Sequence, residues 1–159
     1  MRKVIAVAVV CLAASLATAA GDVQPLNAKT GLWQMTETIT WTGLPPQMAA
    51  MMRNARPINY KSCVKEKDLY GNPWGSGSGA KCKWTVVKSS ATDMEVEAKA
   101  CSMGTWGAAD THGTVHVSDS ENGTGSFTIV VTAPNGQTMN GHATYTGKWV
   151  SATCPNNMD

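Results

Sequence analysis

The chain has 159 residues, of which 43% are hydrophobic, 15% charged and 6% aromatic. That is one domain's length, with a charged share below the usual ~25%. The composition excludes a disordered polyelectrolyte, a coiled coil and a collagen-like chain, and it names no substrate.

The chain opens on Arg2 and Lys3, an apolar run over residues 4–16, and Ala17-Thr18-Ala19. A short positive start, an apolar stretch and small residues of the A-x-A kind form the pattern of a secretory signal peptide, so cleavage is expected after Ala19. The run falls short of the ~20 residues that span a bilayer. No transmembrane anchor is expected, and residues 20–159 are read as a single domain.

Residues 32–42 alternate. Trp33, Met35, Ile39 and Trp41 share one face with Glu37 as the single interruption, while Gln34, Thr36, Thr38 and Thr40 share the other. Period two with Thr and Trp is a half-buried strand. Residues 47–55, rich in Ala and Met, predict a short helix that Pro57 stops. A short strand over 58–63 and a charged helical turn over 64–69 follow. Residues 70–80 are dominated by Gly and Ser and read as a surface loop. Strands are then predicted over 81–88, 94–101, 111–118, 125–132 and 138–150, with turns at 119–123 and at Pro134-Asn135-Gly136. This spacing, without a βαβ rhythm, predicts a mainly β fold: an antiparallel meander sheet, curved or a partly closed barrel, with one short helix.

Charge is unevenly placed. With Arg2 and Lys3 in the leader, the remaining Lys and Arg balance the Asp and Glu. A neutral domain is not an electrostatic nucleic-acid binder. Yet Arg53, Arg56, Lys61, Lys65, Lys67, Lys81, Lys83 and Lys88 crowd residues 53–88, and beyond them carboxylates dominate. Either the two halves pair across the fold, or the basic segment forms a face for an anionic lipid or polysaccharide.

Cys63, Cys82, Cys101 and Cys154 remain after the leader, an even number that reads as two disulfides in an exported chain. If the meander alternates direction, Cys82 and Cys101 meet at one edge of a hairpin, and Cys154 reaches the opposite edge beside Cys63. The best apolar register sets Trp84 against Ala98 and Val86 against Val96, which puts Cys82 opposite Ala100. The pairing Cys82–Cys101 with Cys63–Cys154 therefore requires a β-bulge between Trp84 and Cys82 or across from them. Cys63–Cys82 with Cys101–Cys154 is the alternative.

Chemical motifs are sparse. His112 and His116 lie four apart on a strand, about 13 Å, too far to share a metal. Glu95 and Glu97 read as solvated neighbours. No G-x-S-x-G or triad-like grouping occurs, so no catalytic residue, metal or cofactor is expected. Met48, Met51 and Met52 form a thioether stripe that could hold Cu(I) but more often packs on a sheet. Trp74, alone in the Gly/Ser loop, either plugs the fold or meets a ligand. These four are the candidate ligand-binding residues.

Several stretches resemble a known family. Gly31-Leu32-Trp33-Gln34-Met35-Thr36 is similar to its opening "GLWEMT". Tyr60-Lys61-Ser62-Cys63-Val64 with Asp68-Leu69 resembles its "Cys-Leu-Thr-x-Glu-Asp-Leu" element, with Lys65 where Thr is usual. Cys82-Lys83-Trp84-Thr85 is similar to its "CKWT" strand, and Gly147-Lys148-Trp149-Val150 before Cys154 to its closing "GKWLG-x-C". The pattern is that of domain-of-unknown-function family 3617, small exported bacterial proteins. The resemblance implies a periplasmic domain and transfers no reaction. Non-catalytic binding of a small apolar or amphiphilic ligand, or of an envelope protein, is the functional expectation. An envelope hydrolase or a structural domain of a larger assembly are the alternatives.

Overall fold

The computed structural model describes residues 22–53, 55–71 and 82–155. The signal-peptide stretch, Trp74 and most of the Gly/Ser loop lie outside the described residues. In chain order the elements are β1 (Gly31–Thr42), α1 (Pro46–Met52), β2 (Ile58–Val64), a 3₁₀ turn (Glu66–Tyr70), β3 (Trp84–Ser89), β4 (Asp93–Ser102), a second 3₁₀ turn (Gly104–Trp106), β5 (Ala108–Asp119), β6 (Asn122–Thr132) and β7 (Thr138–Ser151). The strands form one seven-stranded sheet in the order β2-β1-β7-β6-β5-β4-β3, and every neighbouring pair is antiparallel. The expected meander is present from β3 to β7, and β1 returns to pair with β7.

The sheet is not closed into a barrel, but it is curled. β2 and β3 lie at its two margins, which in a flat sheet would be separated by six strand spacings, roughly 29 Å. Yet consecutive residues of the segment before β1 reach both sides. Leu26 N–H donates to Leu69 O, just beyond β2, and Asn27 N–H donates to Ala91 O in the β3–β4 turn. Lys29 N–H continues to Ser120 O in the β5–β6 turn. This strap draws the margins together at one end, and Leu26 is buried beneath it. The opposite end carries α1 and the Gly104–Trp106 turn, while β2 starts midway along β1 with Ile58 opposite Glu37.

Strand alternation fills the concave face. Trp33, Met35, Val64, Met94, Val96, Val115, Val117 and Phe127 form one buried cluster with Leu26 and Leu69. The indole N–H of the fully buried Trp33 donates to Lys29 O at 2.9 Å. A second, smaller cluster of Ala98, Cys101, Ala109, Val131 and Met139 lies toward the helix end.

Both expected disulfides form. Cys63–Cys154 ties β2 to the tail after β7, and Cys82–Cys101 ties the approach to β3 to the end of β4, with Cα atoms 5.7 and 4.7 Å apart respectively. The apolar register is also as read, with Trp84 opposite Ala98 and Val86 opposite Val96. The required bulge lies across from Trp84 and Cys82, in β4. Ala98 pairs with Thr111 but Cys101 pairs with Ala109, so β4 carries one extra residue. Ala100 takes it up at φ 49°, with its N–H donating to Asp110 Oδ1 at 2.7 Å.

Two expectations need correction. Helix α1 ends at Met52 and contains no buried residue; Met51 is 79% exposed, so its thioethers are not a face packed on the sheet. Trp84, in the apolar phase of β3, is only half-buried, because it stands on the marginal strand; its ring meets Phe127 edge-on with centroids 6.1 Å apart.

Candidate functional site

The concave face divides along its length. Toward the strap the side chains are buried. Toward the helix end Ile39, Trp41, Trp84 and Ile129 are only partly covered, as are Tyr60, Val86 and Tyr145 nearer the middle of the sheet. The floor between them is built from small residues: Ala143, Gly141, Gly113 and Ala98 take the inward phase of β7, β5 and β4. Aromatic rings lie flat on two of these glycines. A Cβ at Gly141 would fall 2.8 Å from the Trp41 ring, and one at Gly113 would fall 2.2 Å from Phe127. Phe127 in turn meets Trp84 and Tyr145 edge-on, the latter at 5.4 Å. The result is a smooth, half-exposed aromatic lining.

One carboxylate stands in this lining. Glu37 occupies the inward phase of β1, directly opposite Tyr145 of β7 and Ile58 of β2. The Tyr145 hydroxyl donates to Glu37 Oε1 at 3.0 Å. Tyr60 reaches the same neighbourhood from β2, opposite Met35. Burial, seconded by the Glu37 charge, pushes the Tyr60 phenol up to about 12. The same two causes, burial first, with the hydrogen bond to Glu37, push Tyr145 higher still. Both phenols therefore stay neutral at physiological pH, and the Tyr60 hydroxyl makes no hydrogen bond with a described residue. The three side chains present one anionic acceptor and two hydroxyl groups in apolar surroundings. Such a set can hydrogen-bond a polar group held beside apolar surface.

Sequence reading recorded Glu37 only as an interruption and missed Tyr60 and Tyr145. The usable signal was a lone carboxylate in the inward phase of a strand. Of the expected site residues, Met48, Met51 and Met52 sit on α1 at the helix end, with Met48 and Met52 partly covered and Met51 exposed.

The convex face is polar. Two of its histidines pair with carboxylates of β4. His116 Nδ1 lies 2.8 Å from Asp93 Oδ1, and His112 Nε2 lies 2.8 Å from Glu95 Oε1. Hydrogen bonds from Thr92, then His116, hold the Asp93 carboxyl below its usual range. A shallow groove of about 350 Å³ runs past Lys88, Asp93, Glu95, Thr114 and His116. The nearby Ser90 hydroxyl is held within its own turn, donating to Asp93 O and accepting the N–H groups of Thr92 and Asp93. Among the described residues no group of three or more His, Cys, Asp or Glu could hold a metal ion.

Among the described residues the ion pairs include Lys29–Glu121, Lys99–Glu97 and the two histidine pairs. Lys88 feels the Asp93 charge, but Arg53, Arg56, Lys61, Lys67 and Lys83 form no ion pair with a described residue.

The chain belongs to the family described as "Protein of unknown function (DUF3617)", whose model matches residues 28–154. No curated protein and no solved structure matches it.

Proposed function

We propose that this is an exported domain of the bacterial periplasm that binds an amphiphilic small molecule on its concave face. The observation that carries the reading is the isolated Glu37 carboxylate among half-exposed aromatic and aliphatic side chains. A half-buried charge in such a place costs stability unless it is satisfied. Tyr145 satisfies one oxygen, which leaves acceptor capacity for a ligand. An apolar chain lies against Trp41, Trp84 and Ile129, and a cationic or N–H-bearing head meets Glu37, with the Tyr60 hydroxyl beside it. Two disulfides, and no described helix long and apolar enough to cross a membrane, are compatible with export in soluble form.

Titration of the tryptophan fluorescence with dodecyltrimethylammonium, below its micellar concentration, tests this reading. The expected result is saturable binding, tighter than that of dodecanoate, and weakened at least ten-fold by Glu37→Gln, since a hydrogen bond or ion pair to a charged group contributes about 1.5–3 kcal/mol. Absence of saturable binding by either amphiphile, or equal binding by the Glu37→Gln variant, would overturn it.

A further inference from the structure

The helix end exposes two large apolar side chains from separate elements, Met51 of α1 at 79% and Trp106 of the 3₁₀ turn at 53%, and Ile58, opposite Glu37 at the start of β2, is exposed at 53%. Helix α1 buries none of its residues. A helix that contributes nothing to the core has no evident folding reason to present Met51 to water. Around the same rim stand Arg53, Arg56 and Lys83, all exposed and without an ion pair among the described residues. Asp110, a carboxylate at that end, is engaged by the Ala100 N–H. The strap end is mixed in charge: Glu66, Asp68, Asp93, Asp119 and Glu121 lie there beside Lys29, Lys65, Lys67 and Lys88.

We infer that the helix end is a docking surface for an anionic phospholipid bilayer. Charge complementarity selects this occupant. The rim cations Arg53, Arg56 and Lys83 approach lipid phosphates, and Asp110, the acidic side chain among the rim residues named, is held by its own backbone hydrogen bond. Apolar side chains interleaved with arginines, and an exposed tryptophan at the same level, suit the headgroup boundary, where an indole keeps its ring in apolar surroundings and its N–H in water. Neither the short helix nor the rim crosses the membrane. Contact is interfacial and reversible, resting on a few charges and shallow insertion. The orientation also sets the half-exposed part of the concave face toward the bilayer. The docking itself does not depend on ligand binding.

Co-sedimentation of the purified, oxidised protein with vesicles of phosphatidylglycerol and phosphatidylcholine, compared with phosphatidylcholine alone, tests the inference. Binding is expected to the anionic vesicles and to fall steeply as salt rises. Each cation near such a surface is worth about five-fold in partitioning. The triple variant Arg53→Gln, Arg56→Gln, Lys83→Gln should therefore bind about two orders of magnitude more weakly. Met51→Ser with Trp106→Ser should weaken binding without removing its lipid preference. Lys67→Gln with Lys148→Gln, away from the rim, should leave it unchanged. Equal partitioning onto both vesicle types, or an undiminished triple variant, would overturn the inference. So would failure to bind vesicles combined with self-association abolished by Met51→Ser, which would assign the patch to a second copy of the chain. Amphiphile binding in free solution is read separately, so the two proposals can fail independently.

Discussion

Phe127 lies against the backbone of its cross-strand partner Gly113 so closely that a Cβ at position 113 would fall 2.2 Å from Cδ1 of the ring. The glycine exists to receive the ring, which also meets Trp84 and Tyr145 edge-on. Gly113→Ala should therefore displace Phe127 and disturb both neighbours. Overpacking of this kind costs about 1–3 kcal/mol. Gly71→Ala, where a Cβ meets nothing within 4 Å, should stay within about 0.5 kcal/mol. Urea unfolding of the two variants is the measurement, and equal midpoints would show the ring free to move aside.

The tryptophans of facing strands should differ in cost. Trp33 is fully buried and hydrogen-bonded to Lys29 O. Trp33→Ala should lose about 3–5 kcal/mol. Trp84 is half-buried on a marginal strand, so Trp84→Ala should cost less. Reversal of that order in denaturant titrations would contradict the assignment of the core to the strap side.

The disulfides close loops of different length, with sequence separations of 91 for Cys63–Cys154 and 19 for Cys82–Cys101. In the chain-entropy account, losing the longer one costs about 4.6 kcal/mol and the shorter about 3. Paired Cys→Ser variants, melted separately, should rank in that order. Non-reducing peptide mapping checks the connectivity directly.

Alkaline stability follows from the buried phenols. Tyr60 holds its proton to about 12 in the fold because of burial and then the Glu37 charge, against about 10 in the unfolded chain. Tyr145 is raised further. Above pH 10 the unfolded chain releases protons that the folded one retains. Stability is thus fully present below about pH 10 and declines as pH rises through the folded values. Tyr60→Phe should flatten that decline, and Glu37→Gln should lower both phenol values in a spectrophotometric titration at 295 nm. A slope unchanged by either substitution would sink this account.

Acid acts elsewhere. Asp119 is held below its usual range, first by the Glu121 N–H, then by the Asn122 side chain, partly opposed by desolvation. That contribution is present near neutrality and is lost as pH falls through the folded value. Asp119→Asn should remove the pH dependence of the β5–β6 turn, read by amide exchange of Glu121 and Asn122.

What the sequence determined by itself was whatever depends on short-range pattern. Period-two alternation located β1 and its buried Trp33 and Met35, and turn residues separated β5, β6 and β7. The phase of the apolar residues set Trp84 against Ala98, and the mismatch of Cys82 with Ala100 called for the bulge that Ala100 provides. These are consequences of local backbone geometry, in which one residue's shift reverses a side chain. Tertiary structure decided what depends on curvature and on which end of the sheet a residue reaches. Helical spacing in Met48, Met51 and Met52 could not say whether a sheet lay beneath them; α1 overhangs the rim, so Met51 faces water. Charge counts could not say whether cations and carboxylates would meet. Arg53, Arg56 and Lys83 form no ion pair with a described residue, whereas Lys29 meets Glu121 across 92 positions of the chain. The Glu37–Tyr145 pair joins residues 108 positions apart, a contact that arises only because the first strand closes on the last.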